Sequence, residues 1–175
     1  MKPLAIALLS FAAMTGLLFA ADTKKTTVPG TDDLSRYVAT KPTLGQTSLR
    51  DASGSTLGTA STVGTGTTTF RDSGGRTTGT TTMQGNQTVF RDASGRTVWT
   101  ATTSGGQATT YRDAAGRTQR TASESGSSIT FRDAAGRTTS IVQPSGSSAT
   151  ARDAGSRTIG TASTTLGKQP APAKR

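Results

Sequence analysis

Six times along this 175-residue chain an arginine is followed directly by an aspartate: Arg50-Asp51, Arg71-Asp72, Arg91-Asp92, Arg112-Asp113, Arg132-Asp133 and Arg152-Asp153. A second arginine stands four residues beyond all but the first of these aspartates, as Arg76, Arg96, Arg117, Arg137 and Arg157. Guanidinium groups repeated at a fixed interval can grip carboxylates, sulfates or phosphates, because each offers a planar fork of donors. Arg71, Arg91, Arg112, Arg132 and Arg152 are therefore the candidate polyanion-binding residues. The partners they imply are an anionic cell-surface polymer or another copy of the chain. Other chemistry is scarce. The chain has neither histidine nor cysteine, which removes imidazole bases, thiol nucleophiles, disulfides and Cys/His metal sites. The abundant Ser and Thr have no base to activate them. We assign no catalytic residue, metal, cofactor or small-molecule substrate.

The formal charge of +10 is carried by the repeats as well as the ends, since twelve arginines stand against six aspartates and Glu124 between residues 46 and 165. Successive Arg-Asp pairs lie 21, 20, 21, 20 and 20 residues apart, so each unit is one supersecondary element of a repeat protein. Recurrent Gly, Ser and Thr oppose helix, and "QTVFR" followed by "RTVWTAT" reads as two short strands. Between them, Asp-x-x-Gly-Arg has turn chemistry. Asp72, Asp92, Asp113, Asp133 and Asp153 open type I turns, and Gly75, Gly95, Gly116 and Gly136 take the left-handed position of a three-residue hairpin loop. Counting back from the neck pairs Arg91 with Thr97 and Phe90 with Val98. Leu49, Phe70, Phe90, Tyr111, Phe131 and Ala151 then form one ladder, with Trp99 and Arg120 on the opposite face and the two arginine series on different faces.

A lone unit would not fold, because ordering about twenty residues costs roughly 30 kcal/mol and one buried aromatic returns about 2 to 3 kcal/mol. Stability must come from stacking. The fold class expected is all-β, with tandem strand-turn-strand units forming an antiparallel meander or a flattened β-solenoid, atypical end units and two exposed edges.

The ends lack the period. Residues 1–20 have Lys2, an apolar run and Ala20-Ala21, the layout of a signal peptide. Its removal would leave no membrane span and place the chain in the periplasm, at a bacterial cell surface or outside the cell. Residues 21–44 read as a linker with at most a short capping strand, residues 45–165 as the six-unit domain, and residues 166–175 as a disordered basic Pro-rich tail.

The unit "FRDAAGRTT" resembles the YD or RHS repeat over about residues 45–163, through Asp113, Gly116, Arg117, Thr118 and their equivalents. An Arg separates the aromatic from the Asp, and the Leu that follows Gly-Arg in that family is missing. The resemblance implies β-hairpin repeats on a bacterial exported protein. In layout alone the chain is similar to curli-type amyloid subunits. The function expected is a non-catalytic structural or surface-interaction role, adhesive or matrix-forming. The alternatives are a self-assembling matrix subunit, or a module binding ice or a polyanion through its Thr and Arg columns.

Overall fold

The computed structural model describes residues 33–64 and 66–166. The signal-peptide segment and residues 167–175 lie outside them. Among the described residues one helix, α1 (Asp33–Thr40), precedes twelve strands. The first six are β1 (Gly45–Asp51), β2 (Thr56–Val63), β3 (Thr67–Asp72), β4 (Thr77–Gln84), β5 (Gln87–Asp92) and β6 (Thr97–Ser104). The rest are β7 (Ala108–Asp113), β8 (Thr118–Ser125), β9 (Ser128–Asp133), β10 (Thr138–Ser145), β11 (Ser148–Asp153) and β12 (Thr158–Thr165). Each strand pairs antiparallel with the next, and β12 returns to β1, so the meander closes into a barrel. The sequence offered a meander or a solenoid with free ends. The antiparallel meander is present, but the open coil, the exposed edges and the end caps are not, because the first and last strands satisfy each other.

Closure follows from local geometry repeated six times. At each neck one residue is left unpaired, as where Arg91 faces Thr97 but Phe90 faces Trp99 across β5 and β6. This bulge at Val98 bends and twists the hairpin, and a bulge at every hairpin curls the sheet onto itself. It also corrects the expected pairing of Phe90 with Val98. Trp99 shifts to the same face as Phe90, and the two rings stack 5.2 Å apart with 6° between their planes. Arg120 moves inward by the same shift, opposite Tyr111.

The seams between hairpins share one register. Gly58 faces Asp72, Gly79 faces Asp92, Trp99 faces Asp113, Arg120 faces Asp133 and Ser140 faces Asp153. The closing seam repeats it, with Gly160 facing Asp51. The seams thus repeat six times, while the turns at the other end differ by a residue, three lying between Ser104 and Ala108 and two between Gln84 and Gln87.

Alternation sends Phe70, Phe90, Trp99, Tyr111 and Phe131 inward, each at most 2 % exposed. Thr and Ser dominate the outward positions, as at Thr69, Thr80, Thr100, Thr110, Thr121, Thr130 and Thr150. Among the described residues no helix is long and apolar enough to cross a membrane.

The interior holds the helix that the sequence reading had as linker. Twelve strands enclose more room than inward side chains fill, and α1 packs against β5 and β10 to β12. Leu34, Val38 and Ala39 are buried, and so are Asp33, Ser35 and Arg36, because sheet surrounds the helix. Small residues make space for it. Ala149, Ala151 and Ala162 line the near wall, and a Cβ on Gly160 would sit 3.4 Å from Leu34 Cδ2 and 2.8 Å from the Arg50 carbonyl oxygen. The aromatics fill the remaining lumen. Ala151 is thus an adaptation to the helix and not a cap.

Candidate functional site: a basic rim around a plugged barrel

All six Asp-led turns lie at one end of the barrel. In each, the aspartate amide donates to the carbonyl four residues on, as Asp92 does to Arg96 at 2.9 Å, and the residue three on donates back, as Gly95 does to Asp92 at 2.9 Å. The carboxylate holds the loop. Asp92 Oδ1 accepts from the Ser94 amide, the Ser94 hydroxyl and the Arg96 amide at 2.9, 2.6 and 3.0 Å. These bonds favour the charged form and hold Asp92 below the usual carboxylate range, the Ser94 hydroxyl contributing most. Asp51 is lowered in the same way, chiefly by Ser53, and Asp113 by the Arg117 amide. Gly54, Gly75, Gly95, Gly116 and Gly136 have φ between +80° and +85°, and the sixth turn puts Ser156 there at 67°.

The arginine preceding each aspartate points outward beside its own turn. Arg50, Arg71, Arg91, Arg112 and Arg132 donate through Nη1 to the carbonyls of Gly54, Gly75, Gly95, Gly116 and Gly136 at 2.9 to 3.2 Å. Arg152 donates to Ser156 at 3.1 Å. Arg91 also donates to the Thr97 hydroxyl at 3.1 Å. Each guanidinium is thus held in place by one or two hydrogen bonds and keeps most of its five N–H groups for a partner. The second series, Arg76 to Arg157, sits in the hairpin tips at the same end, which corrects the expectation that it would occupy another sheet face. Arg117 pairs with Asp113 at 2.7 Å. Among the described residues Arg76, Arg96, Arg137 and Arg157 make no ion pair. This end therefore has an inner ring of six turn-bound aspartates surrounded by eleven exposed arginines. The opposite end, with its Gly-bearing turns, carries Glu124 paired with Lys41 at 2.5 Å.

Sequence reasoning missed the lumen. Arg120 Nη1 lies 2.8 Å from Asp33 Oδ1 and 3.0 Å from Oδ2. Thr139 and Ser140 donate to the same carboxylate at 2.8 and 2.7 Å. The Arg36 guanidinium lies 5.4 Å from the Trp99 ring and 5.3 Å from the Tyr111 ring, a desolvated cation–π arrangement. The Tyr111 hydroxyl is 3.2 Å from that of Thr40, and burial pushes its pKa up to about 12. A signal in the sequence was the inward position occupied by Gly58, Gly79, Trp99, Arg120, Ser140 and Gly160, where glycine in three units gives way to a large or polar residue in the other three. What looked like free variation specifies the seat of the helix.

Between two neighbouring hairpins at the arginine end, a cavity of about 360 Å³ is lined by Asp72, Arg76, Thr77, Thr78, Asp92, Ala93 and Ser94. Two spaces at the other end hold about 20 and 40 Å³, room for a few waters at most. Among the described residues no three His, Cys, Asp or Glu side chains cluster as a metal site. Compared with family models, curated proteins and solved structures, the chain matches none. The class is defined by the fold alone: a closed up-and-down barrel of six equivalent hairpins, plugged by its own helix.

Proposed function

We propose that this is an exported, non-catalytic interaction module that docks on an anionic polymer of the cell surface through the arginine rim. The observation that carries the reading is the concentration of eleven exposed arginines at one end, with their aspartates turned inward and bound to backbone amides. Among the described residues the rim carboxylates make one ion pair, Asp113 with Arg117, so the arrangement leaves a strong positive field there. Other parts of the surface offer less. The lumen is filled by α1 and the aromatics, so it resembles a core more than a carrier cavity. The hydroxyl-rich outer wall differs from the apolar band of a lipid-facing barrel. The Thr series at the necks curves around the barrel beside arginines, which disfavours a flat ice-binding face. Self-assembly through strand edges loses its basis where every strand is paired on both sides.

The test is retention of the mature chain on an immobilised acidic polysaccharide, eluted with salt. A variant with Arg76, Arg96, Arg137 and Arg157 all changed to Gln should elute at clearly lower salt while keeping the parent circular dichroism. Parent-like elution of that variant, or no retention of the parent at low salt, would overturn the reading.

A further inference from the structure

We infer that the outward ring takes a linear acidic polysaccharide whose charge falls on every second sugar; this rests on the rim reading and names its partner. Three observations carry it. First, the ring guanidinium groups are fixed before binding. Arg71, Arg91, Arg112 and Arg132 are each tied by Nη1 to a turn carbonyl at 3.1 to 3.2 Å, so little side-chain entropy remains to be lost. Second, one strand separates successive ring arginines, which sets them about 10 Å apart from the usual strand spacing. That pitch is much coarser than the charge spacing of a nucleic-acid duplex, which carries one phosphate per strand for roughly every 3.4 Å of helix axis. Third, the strand between carries a hydroxyl at the same level. Thr80 faces Arg91, Thr100 faces Arg112 and Thr121 faces Arg132.

Cation and hydroxyl therefore alternate around five of the six seams, the sixth setting Ile141 opposite Arg152. A polymer charged at every unit would set half of its charges over threonine, where no cation compensates them. A polymer of alternating charged and neutral sugars sets carboxylates on arginine and hydroxyl or amide groups on threonine. Two linked pyranose rings are of the same order of length as the arginine pitch.

The experiment is calorimetric titration of the mature chain with three probes of equal length at two salt concentrations. The probes are an oligosaccharide of alternating glucuronate and N-acetylglucosamine, an oligogalacturonate charged at every sugar, and inorganic polyphosphate. The alternating oligosaccharide should bind at least about tenfold tighter per charge than either of the others, and more weakly as salt rises. Changing both Arg91 and Arg112 to Gln should weaken it roughly tenfold. Arg112→Lys, which keeps the charge and loses the planar fork, should weaken it by a smaller factor and serves if the double variant does not fold. Binding that follows charge density, with polyphosphate tightest, would overturn this inference and leave the rim reading standing. Failure of all three probes would overturn both.

Discussion

Asp33 on α1 and Arg120 on β8 are 87 residues apart in the chain and meet at 2.8 Å inside the barrel, where Thr139 and Ser140 also donate to the carboxylate's Oδ2. Removing one partner of such a pair leaves the other charge stranded in a poorly solvated place. Arg120→Met should therefore lower unfolding free energy by roughly 3 kcal/mol, measured by urea denaturation. Asp33→Leu in the same chain should recover much of that loss. An Arg120→Met protein as stable as the parent would show that the pair does not anchor the helix.

The hairpin loops give two changes of opposite sign. Gly116 has φ of +80° and nothing within 4 Å of a would-be Cβ, so Gly116→Val is opposed by backbone strain and not by a clash. It should cost about 1 to 2 kcal/mol. Ser156 occupies the equivalent position at φ of 67°, and Ser156→Gly should stabilise by roughly 0.5 to 1 kcal/mol. Thermal melts of the two variants should move in opposite directions.

Acid should loosen the rim first. Asp51, Asp92 and Asp113 are more acidic folded than their ordinary value of 3.8 because hydroxyl and amide donors stabilise the carboxylates. Their contribution is complete above that value and is lost as pH falls through the depressed folded values. Stability should be level from neutral pH down to about 5 and then decline. A chain equally stable at pH 2 and pH 6 would contradict this.

Alkali acts on the lumen. Burial raises Tyr111 from 10.0 to about 12, so the neutral phenol's contribution is present below pH 10 and lost as pH climbs towards 12. The loss should reach roughly 2 kcal/mol by about pH 12. Tyr111→Phe should flatten that part of the profile while keeping the ring contacts.

Repetition made the hairpins legible. The interval, the Asp-x-x-Gly-Arg order and the aromatic before Arg-Asp were enough to place strand, turn and next strand. The outward arginines followed from alternation. What escaped was set by details shorter or longer than the repeat. The bulges at Val98 and Gln119 each shift one position and carry Trp99 and Arg120 from the outer to the inner face. Closure depends on curvature summed over six hairpins, which no single unit encodes. The helix was hidden because "DLSRYVAT" is only eight residues long. Its buried Asp33 and Arg36 look like surface residues until Arg120, Trp99 and Tyr111 are seen around them.

The shared register of all six seams has an evolutionary consequence. An open array can gain or lose a unit at either end and keep every other contact, so its length can drift. Here a seventh hairpin would widen the circle, pull Trp99 and Tyr111 away from Arg36, and leave the helix loose in an oversized bore. A fifth-and-last hairpin would leave no bore for it. Copy number is thus counted by the diameter of a single α-helix, and duplication of one unit, the easiest event for a repetitive gene, yields a product that its own plug rejects.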